Sequence, residues 1–454
     1  MTRMPQVRAG LRGAGRFNPV RLLRGAMTAQ PVLRNLVSNA ASLAGATLGT
    51  SALGLAYWFV AARMFDPAAV GVGSAAVSGM ALVASLSSLG LATYVMGDAQ
   101  RLPGQRRSAV ATTLFASGAS TAVVALAYAL AVPVVSPELR SLTSSPWVVL
   151  LFVVGTTATA IGMVLDSALL GALHGNVQLY RNMVFGVLKL VLLVAAGWLA
   201  LGGGGLTLFG TWVVGLVLSL AGLAVLRRGW TRALLAELRL SAVVVFLRDV
   251  APPVLRHQVL NLGLRAPPLV LPVIVITAVS AQANANFYIA WQVMMAAFVL
   301  PGSLATMLYA VGAEDTEALA QRLRSTLLLS ATLTVAATVL LAGGARWILS
   351  VFGAQYAANG TATLVVLALA GIPTLVKNLY VAVCRVTRRT AAAVPLVYVG
   401  GALELILPLV GGRQWGLLGL SLGWLLAVVL EAVLMLPLLV RALRGTVVVA
   451  SSGR

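Results

Sequence analysis

The sequence predicts an all-α polytopic membrane protein: about twelve transmembrane helices in two six-helix lobes, related by a parallel pseudo-two-fold repeat around a central cavity. Three observations point there. Of 454 residues, 60% are hydrophobic and only 9% charged, against about a quarter charged in an ordinary soluble domain. Apolar stretches such as 109–135 and 361–382 exceed the roughly 18 residues that mark a membrane span. Basic residues fall in short clusters between the apolar runs, the pattern that fixes membrane orientation.

Breaks in hydropathy place the spans, in order, near 34–63, 70–96, 109–135, 147–171, 183–201, 206–226, 255–279, 283–311, 325–343, 361–382, 391–410 and 415–440. Residues 1–33 hold six Arg and no acid, with no apolar core of a secretory signal before the first span. They read as a disordered cytoplasmic tail held near anionic lipid. A second short tail covers 441–454. The longest break, 227–254, separates an N-lobe (34–226) from a C-lobe (255–440). Within it, 231–248 reads as an amphipathic surface linker with Leu234, Leu235, Leu238 and Phe246 available to dip into lipid.

The net charge of +21 would raise nucleic acid as a partner of a soluble protein. Here it has another use. With the N-terminus inside, 25 of the 32 basic residues lie on the cytoplasmic side, Arg181 among them as a loop residue. The opposite side holds Arg63, Arg140, Arg346 and Arg413, and Lys189, Arg265 and Lys377 fall within spans. An even number of spans follows, both termini cytoplasmic, in a bacterial cytoplasmic (inner) membrane and with no nucleic-acid partner. Trp147, Trp198, Trp347 and Trp415 sit at the outer ends as interfacial aromatics. The single cysteine, Cys384, excludes an intramolecular disulfide and reads as a packing residue.

The halves repeat weakly. Arg34, Val37 and Asn39 opening span one match Arg256, Val259 and Asn261 opening span seven. Leu91-Ala92-Thr93 matches Leu304-Ala305-Thr306, and Arg181 after span four matches Arg388 and Arg389 after span ten. Their common order supports the six-plus-six repeat. Gly45-x-x-x-Gly49 and Gly419-x-x-x-Gly423 permit close helix approach within a lobe.

Several motifs carry a family likeness: Ala62-Arg63-Met64-Phe65-Asp66-Pro67 leading to Gly71, Ser88-Leu89-Gly90-Leu91, and Val351-Phe352-Gly353-Ala354-Gln355-Tyr356. Arg385 to Arg389 and Trp415-Gly416-Leu417-Leu418-Gly419 complete the set. In these, over roughly 34–440, the chain resembles the polysaccharide flippases of the multidrug/oligosaccharidyl-lipid/polysaccharide (MOP) superfamily, the Wzx-like O-antigen and exopolysaccharide transporters. The resemblance implies an alternating-access transporter that moves a polyprenyl-diphosphate-linked oligosaccharide from the cytoplasmic to the outer leaflet. It implies a monomer among membrane lipids, with a polysaccharide polymerase and glycosyltransferases as protein partners. No cofactor is implied, beyond coupling to an H+ or Na+ gradient.

Ionisable groups inside spans are costly and mark function. Arg265 lies about ten residues into span seven and precedes Pro267, Pro268 and Pro272, which should bend or break the helix. With Lys189 and Lys377 it puts three cations in the cytoplasmic half, where each either snorkels to the interface or receives an anionic diphosphate. Arg34, Asn39 and Asn261 join them as substrate-binding candidates. Asp166, Glu404 and Glu431 either neutralise Lys189, Lys377 or Arg265, or couple transport to an ion gradient.

Two rival readings are weaker. A polytopic glycosyltransferase or polymerase needs carboxylates in a large outer loop, yet the longest, 344–360, has none. The acid run Glu314-Asp315-Thr316-Glu317 lies beside Arg322 and Arg324 as a solvated helix. His174 and His257 are too few for a catalytic metal. A drug or cation antiporter of the same superfamily would favour carboxylates over cations at depth.

Overall fold

A computed structural model describes residues 49–96, 106–199, 204–238, 240–304, 316–387 and 389–444; among them the regular elements are all helical. The N-terminal half comprises α1 (49–64), α2 (Pro67–Met96), α3 (Arg106–Val135), α4 (Pro146–Gly171), α5 (Gly175–Trp198) and α6 (Gly205–Leu226). Pro67 and Pro146 open their helices, where a missing N–H costs nothing. A nine-residue α7 (Arg228–Ala236) leads into α8 (Leu240–Ala278). Then come α9 (Ala281–Ala297), capped by Ser280, a helical stretch 299–304, α10 (Thr316–Phe352), α11 (Ala354–Leu369), α12 (Gly371–Val386) and α13 (Thr390–Leu443).

Nine helical segments among the described residues are long and apolar enough to cross a membrane. The last turns back on itself at Trp415 and Gly416, where Gly416 has φ +61°, a left-handed conformation that costs glycine little. Counting its two limbs separately, and adding α1 and α9 with its continuation, gives twelve candidate crossings among the described residues. Arginines 106, 107, 227, 228, 322, 324, 441 and 444 collect at one end of the bundle, the basic end, and Arg63, Arg140, Arg346 and Arg413 at the other, the far end.

Several boundaries differ from the hydropathy reading. The expected loop 344–360 is helical, broken only at Gly353 (φ +148°), because the helix continues past the apolar boundary through Arg346 and the exposed Trp347. Span ten is two helices: Pro373, lacking an N–H, cannot donate to Leu369. The prolines of span seven do not break it. α8 runs through all three, and the Gly263 carbonyl that Pro267 leaves without its helical donor faces Gly401, where an added Cβ would sit 3.3 Å away. In the linker, Leu234 does not face lipid: it is buried with Leu91, Val95, Val110 and Val164, and Leu238 packs on the same cluster. Leu235 stays exposed, and the side chain of Phe246 lies outside the described residues.

The largest core cluster joins the two halves through Tyr57, Trp58, Tyr288, Trp291 and Trp424. Close approaches use small residues: Gly411 meets the backbone of Gly419, and Gly423 meets the carbonyl of Leu407, which seams the two limbs of α13 inside one lobe. Buried hydroxyls such as Thr113 and Thr156 donate to the carbonyl four residues back, so they need no water.

Candidate functional site

Among the described residues, charged groups at membrane depth stand at four places, and polar contacts join the lobes at both ends. In the C-terminal half, Lys377 on α12 meets both carboxylates of α13. Its Nζ lies 2.5 Å from Glu404 Oε1 and 3.0 Å from Glu431 Oε2, and Trp424 Nε1 donates to Glu404 Oε2 at 2.9 Å. All three ionisable groups are buried, and a Cβ on Gly400 would collide with the Glu431 carboxylate. Glu431 Oε1 accepts no hydrogen bond among the described residues. Two acids therefore share one base, and Lys377 is committed to them rather than free for a substrate.

In the N-terminal half, Asp166 pairs with Arg181 and with none of the three cations expected. Arg181 Nη2 and Nε donate to its two carboxylate oxygens at 2.7 and 3.1 Å, and Asn182 Nδ2 adds a third bond at 3.1 Å. Arg181 is not a loop residue: it sits in the second turn of α5 and is 4% exposed. A bidentate, hydrogen-bonded pair of this kind is the geometry that tolerates burial.

Lys189 has no acid partner among the described residues. Its ammonium lies 3.5 Å from the ring centroid of Trp212, 4.8 Å from Phe185 and 5.2 Å from Tyr57, and the side chain is 4% exposed. It does not snorkel, because the Cβ-free Gly215 lets α6 pack directly on the Lys189 backbone and brings Trp212 over the charge. Cation–π contacts are worth about 2 kcal/mol or more when desolvated, enough to offset part of the burial cost. Tyr57 is fixed in turn by its hydroxyl, which donates to Leu208 O at 2.7 Å. Arg265 on α8 is exposed, makes no hydrogen bond or ion pair among the described residues, and lies near enough to Arg385 for their like charges to interact.

The lobes are fastened at both ends. At the basic end the carboxamide of Gln258 on α8 lies across α2. Its Oε1 accepts from Gly90 N at 2.5 Å, and its Nε2 donates to Leu86 O at 2.7 Å and Ser85 O at 3.3 Å. Gly90 and Leu86 are an i, i+4 pair within the continuous helix α2, and the one amide bonds to both. One turn on, Asn261 Nδ2 donates to Thr93 Oγ1 at 3.2 Å. At the far end Asn284 Nδ2 donates to Gly71 O at 2.7 Å and Ser74 Oγ at 3.1 Å, and a Cβ on Gly71 would run into the Ala281 carbonyl. Arg63 Nε donates to Val351 O at 2.8 Å beside the Phe59–Phe352 contact.

Of the sequence candidates, Lys377, Glu404 and Glu431 come together. Asn261 and Arg265 lie one turn apart on α8, Asp166 and Lys189 each stand elsewhere, and Arg34 and Asn39 lie outside the described residues. Gln258 and Asn284 were missed. An uncharged amide in an apolar run was the available signal, at Gln258 beside the motif residue Gly90.

No protein-family model matches the chain, and no curated protein does. Solved structures do. An inward-facing multidrug resistance MATE family transporter of the MOP superfamily superposes with a TM-score of 0.67 at 15% identity, covering 87% of this chain and 95% of that one. The fold is that of the MOP-superfamily transporters. A MOP superfamily transporter from Pyrococcus furiosus, whose binding pocket is described as of reversed polarity, gives 0.59 at 15% identity over 90% and 96% of the two chains. A Vibrio cholerae MATE transporter gives 0.58 at 14% identity over 90% and 98%. Solved structures of this fold are described as inward-facing and as outward-facing; an exchange of that kind would have to break and remake the fastenings at the two ends.

Proposed function

We propose that this chain is an alternating-access flippase for an anionic lipid-linked oligosaccharide, carrying a polyprenyl-diphosphate-linked glycan from the cytoplasmic to the outer leaflet, with the basic end cytoplasmic. The observation that supports it most is the pair of cations at membrane depth, Arg265 and Lys189, that have no carboxylate partner among the described residues. Arg265 offers a bidentate guanidinium to phosphate oxygens, and Asn261, freed from Thr93 as the lobes part, adds an amide. Lys189 acts from behind the Tyr57–Trp212 wall: in its protonated form it attracts a phosphate about 10 Å away by roughly 1.7 kcal/mol at an effective dielectric of about 20. The rings at the joint, with Trp58–Tyr288 centroids at 4.7 Å and Trp291–Trp424 at 4.9 Å, give sugar rings apolar faces to lie on when the joint opens.

Export of organic cations is the second reading, and the carboxylate pair Glu404 and Glu431 speaks for it. Against it, Lys377 occupies that pair, and the aromatic cage that would suit an organic cation is filled by the ammonium of Lys189. The test is lipid flipping in proteoliposomes by Arg265→Ala and Arg265→Lys at matched reconstitution. The proposal expects at least a tenfold loss in Arg265→Ala and partial rescue by Arg265→Lys; full activity in Arg265→Ala overturns it.

A further inference from the structure

At the basic end of the N-terminal half, the first turn of α5 and the last turn of α6 leave an open groove of about 350 Å³. Val177, Leu223 and Leu226 form its apolar wall, and Asn176, Tyr180 and Arg227 supply its polar rim. We propose that this groove is a binding site for an anionic glycerophospholipid of the basic-end leaflet, independent of the transported substrate.

Four observations carry it. The groove lies where two spans emerge together, so its floor meets hydrocarbon and its rim meets headgroups. Leu226 is 74% exposed and Tyr180 63%, a large apolar side chain and an amphipathic ring left on the surface at the depth where such rings anchor proteins. None of the three polar side chains on the rim has a hydrogen-bond or ion-pair partner among the described residues, so an arginine, an amide and a phenol are all available to one ligand. Finally, no acid lines the groove, and Arg228 and Arg232 follow within two turns, both exposed and without a side-chain partner among the described residues. Basic pockets between transmembrane helices with this composition recognise anionic headgroups.

In the proposed complex the phosphate takes Arg227, with Tyr180 and Asn176 donating to phosphate or glycerol oxygens, and one acyl chain lies along Val177, Leu223 and Leu226. Charge complementarity selects a net-negative headgroup over a zwitterionic one, since no carboxylate is present to meet a choline ammonium. Because Arg228 opens α7, whose Leu234 is seated in the core of α2, α3 and α4, a lipid held here pins the start of the linker to the leaflet.

The experiment is native mass spectrometry of the delipidated full-length protein in neutral detergent, titrated separately with phosphatidylglycerol, phosphatidylcholine and inorganic phosphate. The expected result is tight retention of phosphatidylglycerol over phosphatidylcholine, and no adduct from inorganic phosphate. Arg227→Gln should retain one phosphatidylglycerol fewer, or bind it about fivefold more weakly, for the loss of one interfacial charge. Tyr180→Phe should weaken it less, and Arg140→Gln at the far end not at all. Size-exclusion profiles matching the parent establish folding, and Asn176→Ala serves as the milder substitution if Arg227→Gln fails that check. Wild-type retention in Arg227→Gln, or in Asn176→Ala where that replaces it, equal retention of phosphatidylcholine, or occupancy by inorganic phosphate would each overturn the proposal.

Discussion

Replacing Gln258 with Leu removes the clasp at the basic end while keeping the apolar bulk of the side chain. Two of its bonds are short, to Gly90 N and Leu86 O, and the third, to Ser85 O, is long. A buried hydrogen bond contributes about 0.5–1.5 kcal/mol net, and side-chain bonds between membrane helices average nearer to about 0.6 kcal/mol. Gly90 and Leu86 are not orphaned by the change, because they are an i, i+4 pair within the continuous helix α2. The loss is therefore about 1–2 kcal/mol of inter-lobe attachment, not an unfolding penalty. A bias of that size shifts the ratio of closed to open forms at the basic end by a factor of roughly 5–30. Spin labels at Met96→Cys on α2 and Val259→Cys on α8, both exposed and in a Cys384→Ala background, read the separation by pulsed electron resonance. The account expects a longer-distance population to grow in Gln258→Leu with thermal stability nearly unchanged. An identical distance distribution in a folded Gln258→Leu protein refutes the assignment of the clasp as a gate.

Three further outcomes follow from packing and charge. Lys377→Met strands Glu404 and Glu431 in the core and should cost about 3–5 kcal/mol, seen as loss of monodisperse protein, whereas Glu431→Gln removes one of the two acids that share Lys377 and should melt close to wild type; equal melting of the two would contradict the triad. Gly71→Ala forces α2 off the Ala281 carbonyl and should lower the melting temperature by several degrees, for about 1–3 kcal/mol of overpacking, with far-end crosslinks weakened. Lys189→Met fits the aromatic cage without the cost of a buried charge, so its melting temperature should hold while flipping of the anionic lipid slows; unchanged flipping would reduce Lys189 to a packing residue.

The twelve crossings were legible because each apolar run is long enough to commit itself to the membrane, whichever neighbours it finds. Helix ends were less so. The segment 344–360 looked like a loop because its hydropathy drops at Gly343, but a helix can extend beyond the hydrocarbon, and only Gly353 breaks it. Buried charge was visible residue by residue, yet the pairing was not. Which base meets Asp166 depends on the rotational setting of α4 against α5, and that setting turns Arg181 inward instead of leaving it in a loop. The fastening residues Gln258 and Asn284 escaped notice for a different reason. Their amides bond to backbone on the opposite lobe, so neither charge nor spacing along the chain records the partner.

The most direct test sets the two possible cargoes against each other in one preparation. Proteoliposomes holding the purified chain receive either a fluorescent polyprenyl-diphosphate oligosaccharide or a fluorescent organic cation, and transbilayer movement is read with an impermeant quencher. The account predicts movement of the lipid-linked glycan well above protein-free vesicles, slowed at least tenfold in Arg265→Ala, and no transport of the cation. Cation transport with the glycan lipid left at the protein-free rate would contradict it.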